Sequence, residues 1–380
     1  MKFIPYGKQF IDSKDVKVVS KVLKSDLITT GHQVIKFEKK IKKFLDAKFS
    51  FTCNSGTSAL FLALQSIGLK KNDTIIMPAI NFIASYNVAK LFNAKIFLAD
   101  VDKYSGQMSP ENIIDICKKF KIKKIKAVIT MYNGGYPNNA EKFKSLKKKY
   151  KCYIVEDACH ALGATYKYNK KNIKIGSCSH SDISTFSLHP LKTITTGEGG
   201  IVTTNSKKIG EKIKKLRSLG IEKNKMFHWK YDVENIGFNF RLNDFQCALG
   251  TSQLSKILKF ISFIKKIFKN YQNLLKNLEH INLPKYKNNY QSSHHLFIIT
   301  LKKKSHTIKD NLIKYMLKNK VFLQYHYIPV YKLKVFNGKF INKNSEIYYK
   351  SAISLPIYYG LTYKKQKYIV KKIKRFFEEK

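Results

Sequence analysis

The segment from Asp182 to Asn205, "DISTFSLHPLKTITTGEGGIVTTN", holds two apolar runs on either side of one isolated lysine. The runs "DISTFSL" and "GGIVTTN" are short and rich in β-branched residues, which predicts two buried strands. Lys192 lies between them, next to glycines that permit a close backbone approach. A lysine in an apolar neighbourhood has a lowered pKa, so its amine is nucleophilic and can form a Schiff base. The segment therefore predicts a reactive amine in the loop between two strands.

Five further apolar runs precede this segment, and amphipathic helical stretches such as "SALFLALQSIGL" separate several of them. Strands that alternate with helices in this way indicate a mostly parallel sheet with helices on both faces. We therefore predict an α/β fold whose sheet contains all seven runs, at residues 49–55, 74–80, 94–102, 125–133, 152–158, 182–188 and 199–205.

The pattern changes near Leu254, where a long stretch with apolar residues at helical spacing begins. Two separate strand-like runs follow it, "HHLFIITL" (294–301) and "VFLQYHYIP" (321–329), together with further helices. We predict a large domain over residues 1–250, including an N-terminal segment. Residues 251–380 would form a connecting helix and a smaller α+β domain.

The chain has 380 residues, of which 44% are hydrophobic, and a formal net charge of +47. Such a charge raises the alternative of a basic polyanion-binding protein. However, arginine occurs only at Arg217, Arg241 and Arg375, so nearly all the positive charge is lysine spread along the chain. A dedicated nucleic-acid binder is expected to use arginine for bidentate contacts. We predict no nucleic-acid partner, although the charge would attract an acidic substrate such as a nucleotide diphosphate.

The six cysteines are scattered without a CxxC pair, which argues against a zinc ribbon, and we predict no metal site. The N-terminal stretch "MKFIPYGKQF" lacks the apolar core of a signal peptide. No run of about 18 apolar residues suggests a membrane span. We therefore expect a cytoplasmic protein without a membrane partner.

The first run ends in "NSGTSAL", where a loop enters a helix. Free backbone N–H groups and the helix dipole make an anion site at such a point, and hydroxyl groups add donors. Gly56, Thr57 and Ser58 are therefore candidates for holding a phosphate. The alternative is that the motif only caps the helix.

The fifth run ends in "VEDACHALG", and a carboxylate at the end of a buried strand needs a partner. Asp157 could hold a protonated ring nitrogen, and His160 could reach the same ligand. The alternatives are a helix cap for Asp157 and a packed core histidine for His160. Ser187, at the end of the sixth run, can donate to a phosphate. A phosphate loop, an aspartate for a pyridinium nitrogen and a Schiff-base lysine together match the needs of pyridoxal 5′-phosphate.

Five motifs in order, "NSGTSAL", "EDACHALG", "FSLHPLKTITTGEGG", "GFNFRLNDFQCALG" and "HYIPVY", resemble the sugar aminotransferases of the DegT/DnrJ/EryC1/StrS type. The resemblance covers nearly the whole chain. It implies a pyridoxal-phosphate enzyme with the fold type I (aspartate-aminotransferase-like) fold, and a homodimer with shared active sites. Within the family, the likeness is greatest to the transaminases of pseudaminic acid biosynthesis.

The resemblance also implies roles for individual residues. Lys192 would bind the cofactor covalently, and Asp157 and His160 would act beside it as catalytic residues. The cofactor-binding set would add Gly56, Thr57, Ser58, Phe82, Ser187, Asn239 and Arg241, where Phe82 stacks on the ring and the last two reach a neighbouring subunit's site. The substrate would be bound by His189, Arg241, His326 and Tyr327. His294 and His295 are open to the same role, but packing is the preferred interpretation for them.

The implied reaction moves an amino group from L-glutamate to C4 of a UDP-linked 4-keto-6-deoxy sugar in two half-reactions. A GDP-4-keto-mannose transaminase of the perosamine-forming type and a 3-keto-sugar transaminase are alternatives. A family dehydratase is a further alternative, but such enzymes resemble this chain with histidine in place of Lys192.

Overall fold

The structure is a computed structural model that describes residues 3–379 except residues 225, 228, 337 and 339. The helices of this part of the chain are α1 (Ser13–Leu23), α2 (His32–Leu45), α3 (Gly56–Ser66), α4 (Ile83–Leu91), α5 (Pro110–Lys119), α6 (Phe143–Tyr150), α7 (Lys207–Leu216), α8 (Asp244–Leu254), α9 (Ile257–Leu275), α10 (His306–Lys318), α11 (Lys343–Ser351) and α12 (Tyr363–Glu378). The strands are β1 (Phe49–Cys53), β2 (Thr74–Pro78), β3 (Lys95–Ala99), β4 (Ala127–Met131), β5 (Tyr153–Asp157), β6 (Thr165–Tyr168), β7 (Lys171–Lys174), β8 (Ile183–Ser187), β9 (Gly200–Thr204), β10 (Ile221–Lys223), β11 (Tyr231–Val233), β12 (Ile281–Asn282), β13 (Tyr290–Gln291), β14 (Phe297–Leu301) and β15 (Ala352–Leu355).

The central sheet has seven strands in the order β1-β9-β8-β5-β4-β2-β3. Five adjacent strands are parallel to one another, in the order β8-β5-β4-β2-β3. Strand β9 is antiparallel to both of its neighbours, β1 and β8. Each of the seven apolar runs of the sequence supplies one of these strands. The prediction of a mostly parallel α/β sheet is therefore confirmed.

Helices cover both faces of this sheet. Successive side chains of a strand point to opposite faces, so neighbouring residues of one strand pack against different helices. Ile129 of β4 packs in a core cluster with Leu60 of α3 and Tyr86 of α4. Its neighbour Val128 packs in a different cluster with Ile113 of α5. Burial on both sides explains why β4 is apolar along its whole length except for Thr130, and why its sequence shows no alternation.

Local signals in the sequence set the starts of several helices. Ser55 caps α3 by accepting a hydrogen bond from the backbone N–H of Ser58. Ser109 and Asn112 form a capping box at the start of α5, where Pro110 occupies the first turn. These caps satisfy N–H groups that have no partner inside the helix.

The C-terminal region has its own apolar core. This cluster draws on α9, α10, α12, β14 and β15, and it also includes Ile4 from the N-terminal segment. The predicted division at 250/251 stays a prediction, and that point falls inside α8. None of the helices in the described ranges combines the length and the apolar character needed to cross a membrane.

The run "VFLQYHYIP" was predicted to be a strand, and the structure shows instead an irregular segment with isolated bridges at Val321 and Gln324. Its backbone bonds go to scattered partners: Phe322 N–H donates to Ile4 O over 2.9 Å, and Gln324 O accepts from Ser354 N–H over 2.6 Å. The segment is apolar because it is largely enclosed by other parts of the chain, and this produced the strand-like pattern.

Candidate active site

A cavity of about 650 Å³ lies at the carboxyl ends of the parallel strands and is closed on one side by residues 324–328. Ligands of open parallel sheets bind at this edge, and the volume suits a small organic ligand. The cavity brings together most of the predicted site residues: Gly56, Thr57, Phe82, Asp157, His160, Ser187, His189, Lys192, His326 and Tyr327.

Lys192 lies in the loop between β8 and β9, where its backbone N–H donates to His189 O over 2.9 Å. Burial lowers the pKa of the Lys192 amine, and the negative charge of Asp157 acts against this shift. In the described ranges of the chain, no carboxylate lies within ion-pair distance of its Nζ atom. The amine therefore loses its proton more easily than an exposed lysine, which a nucleophilic role requires.

Asp157 is the last residue of β5 and is only 3% exposed. Its Oδ2 atom accepts a hydrogen bond of 3.2 Å from Ser85 Oγ, and its Oδ1 atom accepts one of 3.2 Å from the backbone N–H of Cys159. No lysine or arginine of the described residues forms an ion pair with it. A buried carboxylate without a cation is costly, so its position at the cavity suits a cationic group of a ligand.

The start of α3 forms the base of a candidate phosphate site. Gly56 lies against the end of β8 so closely that a Cβ atom there would be 2.9 Å from Ser187 Cβ. The exposed side chain of Thr57 faces the cavity, and Ser187 lies beside it. Backbone N–H groups at a helix start favour an anion. Capping does not preclude anion binding here, because Ser55 is the cap and none of the described residues hydrogen-bonds to the Thr57 hydroxyl.

Ser58 is not turned toward the cavity. Its hydroxyl group donates to Asn54 Oδ1 over 2.6 Å and lies 2.9 Å from Ser55 Oγ. The residue is buried within the first turn of α3. It stabilises the loop that presents Gly56 and Thr57, and its own contact with a phosphate stays a prediction.

Aromatic side chains form a wall of the cavity. Phe82 is 52% exposed, and its ring centroid lies 5.7 Å from that of Tyr327. The Tyr327 hydroxyl lies 3.0 Å from His160 Nε2, and the His160 ring lies 4.3 Å from that of His295. Burial lowers the pKa of His160 well below its ordinary value, and the Lys192 charge lowers it further. His160 is therefore neutral at pH 7 and presents a hydrogen-bonding imidazole.

His326 is likewise a buried and neutral imidazole. Its Nδ1 atom lies 2.8 Å from Ser354 Oγ. Burial, and then the Lys192 charge, lower the pKa of His326 to about 3. His189 lies at the outer part of the cavity, where its Nε2 atom is 4.0 Å from the Glu198 carboxylate.

Asn239 and Arg241 do not line the cavity of their own chain. Asn239 is exposed and Arg241 is partly exposed. The preceding segment carries exposed apolar side chains, among them Met226, Trp229, Tyr231, Val233, Ile236 and Phe238. Several exposed apolar side chains close together in the sequence suit an interaction surface.

The other two arginines have partners outside the cavity. Arg217 is ion-paired with Glu38 and donates to Thr52 O over 2.8 Å. Arg375 is ion-paired with Glu379 in the last turn of α12. Within the described residues, the cavity of a single chain therefore contains no arginine.

Several cavity residues gave no clear signal in the sequence. Tyr6 comes from the N-terminal segment and Gln324 from the irregular segment at 321–329. His295 also lines the cavity, whereas His294 packs on Phe268 with ring centroids 4.4 Å apart. His294 has a left-handed backbone with φ 56, so the alternation of an extended chain would not have predicted which imidazole faces the site.

The residues fit pyridoxal 5′-phosphate on three independent observations of the cavity: an amine of lowered pKa at Lys192, a buried carboxylate without a cation at Asp157, and a helix start with a free hydroxyl at Thr57. An exposed aromatic ring at Phe82 adds a surface on which a flat ring can stack.

Comparison with known proteins gives concordant results over the whole chain. The family model of the DegT/DnrJ/EryC1/StrS aminotransferase family matches residues 9–374. The UDP-4-amino-4,6-dideoxy-N-acetyl-β-L-altrosamine transaminase of Campylobacter jejuni strain 81-176 is 32% identical over 375 residues, which cover 96% of this chain and 95% of that protein. The GDP-perosamine synthase of Escherichia coli O157:H7 is 28% identical, with 100% of both chains covered.

A solved structure is similar at the level of the whole chain. The Helicobacter pylori aminotransferase PseC, involved in the biosynthesis of pseudoaminic acid, superposes with a TM-score of 0.90. It is 30% identical in sequence, and the comparison covers 100% of both chains.

Proposed function

Because this chain belongs to the DegT/DnrJ/EryC1/StrS aminotransferase family, we propose that it forms UDP-4-amino-4,6-dideoxy-N-acetyl-β-L-altrosamine from the corresponding 4-keto sugar. The amino donor in this proposal is L-glutamate, the cofactor is pyridoxal 5′-phosphate, and the pathway is pseudaminic acid biosynthesis. The family resemblance found in the sequence is confirmed, and so is the prediction of a sugar aminotransferase with the fold of this family.

The observation that carries the proposal is the presence of Lys192 and Asp157 in one cavity, both without an ion-pair partner among the described residues. An amine and a carboxylate that both lack partners indicate a ligand that presents an electrophile to one and a cation to the other. The choice of sugar is supported by the relatives named as altrosamine transaminases, which are 30–32% identical to this chain.

The cofactor would be held by residues from four parts of the fold. Asp157 would hold the ring nitrogen, Thr57 and Ser187 would hold the phosphate together with the N–H groups at the start of α3, and Phe82 would flank the ring. Gly56 would allow this close approach. When bound, pyridoxal 5′-phosphate supplies an aldehyde that carries the amino group and a ring that withdraws electrons.

Lys192 would bind the cofactor and move protons at its Nζ atom. Because burial lowers the pKa of this amine, it can accept a proton from the donor's Cα atom and return it more readily than an exposed lysine. The Tyr327 hydroxyl and His160 Nε2, 3.0 Å apart, hold each other in place beside Lys192.

We propose a homodimer in which Asn239 and Arg241 reach the site of the second copy. The support is the exposed position of Asn239, the exposed apolar side chains at Met226, Trp229, Tyr231, Val233, Ile236 and Phe238, and the lack of an arginine in the cavity within the described residues. Arg241 of the second copy would bind a carboxylate or a phosphate group of the substrates.

Mixed dimers test this sharing of sites. Lys192→Ala and Arg241→Ala copies are each expected to be inactive alone. When they are unfolded and refolded together, half of the dimers are mixed and each has one intact site, so about a quarter of the wild-type activity returns. If mixing restores no activity, or if Arg241→Ala alone is fully active, the shared site is wrong.

The substrate is tested by mass spectrometry of the product formed from the UDP-linked 4-keto precursor, L-glutamate and the cofactor. The expected product carries one amino group in place of the keto oxygen, and NMR places it at C4. Parallel reactions use GDP-4-keto-6-deoxymannose, because GDP-perosamine synthases are also relatives, and a UDP-linked 3-keto sugar. Amination of only the GDP sugar or the 3-keto sugar would replace the proposed substrate but keep the family.

A further inference from the structure

The hydroxyl group of Tyr348 connects three separate parts of the chain. It donates to the His326 carbonyl oxygen over 2.9 Å and accepts from Asn133 Nδ2 over 2.8 Å. Tyr348 belongs to α11, Asn133 follows β4 of the central sheet, and His326 lies in the irregular segment that closes the cavity. A tyrosine hydroxyl has one proton to donate, and here that proton is committed to the backbone of the active-site segment.

The ring that carries this hydroxyl has little freedom to move. Tyr348 is 1% exposed and is among the largest fully buried side chains. Gly106 lies against it with φ +68, and a Cβ atom at that position would be 2.6 Å from the ring. Both the left-handed backbone and the close contact require glycine at this position. The hydroxyl group is therefore held in one direction by packing as well as by hydrogen bonds.

The carbonyl group that Tyr348 holds lies between two side chains of the cavity. The His326 imidazole is fixed by Ser354 Oγ at 2.8 Å, and the Tyr327 hydroxyl lies 3.0 Å from His160 Nε2. The peptide unit between His326 and Tyr327 sets the direction of both side chains, because its carbonyl carbon joins the two residues. A hydrogen bond to this carbonyl therefore orients the pair together.

The segment has few other backbone bonds near this point. Gln324 O accepts from Ser354 N–H over 2.6 Å before it, and Val330 N–H donates to Ala79 O over 2.9 Å after it. Between these anchors the segment is not part of a strand. Asn133 Nδ2 also donates to the His326 carbonyl oxygen over 3.5 Å. Tyr348, with the shorter bond of 2.9 Å, and Asn133 thus together support a span whose side chains face the ligand.

We propose that Tyr348, oriented by Asn133, is a positioning residue that fixes His326 and Tyr327 for the nucleotide-sugar substrate. The proposal rests on the proposed function, because it assigns His326 and Tyr327 to that substrate. It adds a residue outside the cavity, since Tyr348 does not line it. It also explains why a helix of the C-terminal region contacts the loop that follows β4.

The test compares Tyr348→Phe with a matched control, Tyr271→Phe. Tyr271 is 0% exposed, and its hydroxyl also donates to a backbone carbonyl, that of Pro356, over 2.9 Å. Tyr348→Phe loses two buried hydrogen bonds and Tyr271→Phe loses one, and both keep the ring. Both should therefore lower the unfolding midpoint by a few degrees, Tyr348→Phe by more. Only Tyr348→Phe should raise KM for the keto sugar, by about 5- to 10-fold, with a smaller change in the half-reaction with the amino donor.

A second readout needs neither cofactor nor substrate. In the ligand-free chain, NMR of ¹³C-labelled histidine follows each imidazole between pH 8 and 5, and His326→Gln assigns the signal of His326. The imidazole should stay neutral over this range in the wild type and in Tyr271→Phe. In Tyr348→Phe the segment loosens and admits water, so the His326 signal should shift and begin to titrate.

The outcomes separate this proposal from the proposed function. If neither the His326 signal nor KM changes in Tyr348→Phe, or if Tyr271→Phe changes them equally, Tyr348 is only a packing residue. If the wild type aminates no keto sugar, the proposed function fails while the NMR comparison still decides the positioning role. Asn133→Ala, which keeps Tyr348 intact, should produce the same changes to a smaller degree, and unchanged signals in both variants would refute the inference.

Discussion

The hydroxyl group of Ser85, in the first turn of α4, donates a hydrogen bond of 3.2 Å to the Oδ2 atom of Asp157 at the end of β5. Together with the Cys159 N–H, this bond fixes the direction of the carboxylate, which forms no ion pair with any described lysine or arginine. Residues of α4 and β5 thus hold a buried carboxylate in a fixed direction at a cavity that can bind a ligand.

Replacement of Asp157 by asparagine should stabilise the ligand-free protein and weaken its response to the cofactor. The change removes a buried charge, so we expect the free energy of unfolding without cofactor to rise by about 1 kcal/mol or more. The added stability that saturating pyridoxal 5′-phosphate gives should fall sharply. Thermal unfolding with and without cofactor measures both.

Ser85→Ala is the control for this change, because it removes one hydrogen bond and keeps the charge. It should retain most of the cofactor-induced shift in unfolding midpoint. A full cofactor-induced shift in Asp157→Asn would contradict the role of the carboxylate.

Lys192 should be the residue to which pyridoxal 5′-phosphate attaches. After reduction with borohydride, peptide mapping should find the label on the peptide that contains Lys192 and none in Lys192→Ala. Lys309→Ala is the matched control, because Lys309 is also buried and its pKa is lowered by burial to about 8, yet it does not line the cavity. A label on Lys309, or one that persists in Lys192→Ala, would show that a low pKa alone directs the reaction.

Substitutions of Thr57 and Ser58, at the start of α3, should affect cofactor affinity and protein stability separately. Thr57→Val keeps the shape but removes a free hydroxyl, so cofactor affinity should fall about fivefold with little change in stability. Ser58→Ala removes the bond to Asn54, so stability should fall by about 1 kcal/mol while cofactor affinity changes less. Fluorescence titration and urea unfolding measure the two quantities. The reverse pattern would mean that Ser58 is the phosphate ligand.

Stability should fall as the pH is lowered from about 6.5 to 4. Burial lowers the pKa of His326 to about 3 and that of His294 to about 4. An unfolded chain protonates histidine near pH 6.5, so in this window the unfolded state binds more protons than the folded state. The free energy of unfolding then decreases with decreasing pH, by on the order of 2–3 kcal/mol for each histidine.

Urea unfolding at several pH values measures this dependence. His326→Gln and His294→Gln should each reduce the pH dependence of the free energy of unfolding. The control is His280→Gln, at an exposed position, which should leave this dependence unchanged. An equal slope in all of these proteins would assign the acid sensitivity to other groups.

The sequence was sufficient for the parts of the site that follow a buried strand. Each of the seven runs forms a strand of the sheet, and Asp157 at the end of β5 and Lys192 in the loop after β8 were predicted as site residues. The carboxyl ends of parallel strands meet at one edge, so local patterns along the chain translate directly into proximity there. Ser58 shows the limit of this reasoning, since the direction of a hydroxyl within a helix turn depends on its neighbours.

Other parts of the site could not be predicted from local sequence patterns. The run at 321–329 has the composition of a strand. In the structure it is an irregular segment with isolated bridges, and part of it lines the cavity. Tyr6 and His295 reach the cavity from positions far apart in sequence. No periodicity reports such contacts, because they depend on how the N-terminal and C-terminal regions pack against the sheet.

The sequence by itself determined the sheet, its helices and the chemistry of the loops at the strand ends, because burial and hydrophobic periodicity act over a few residues. Only the tertiary structure decided which charged side chains lack an ion-pair partner among the described residues. It also decided which cavity residues are supported by side chains outside the cavity. The lack of an ion-pair partner for Asp157 among the described residues and the contact from Tyr348 to the His326 carbonyl both depend on distances between remote segments. Such distances are fixed when the separate elements pack together.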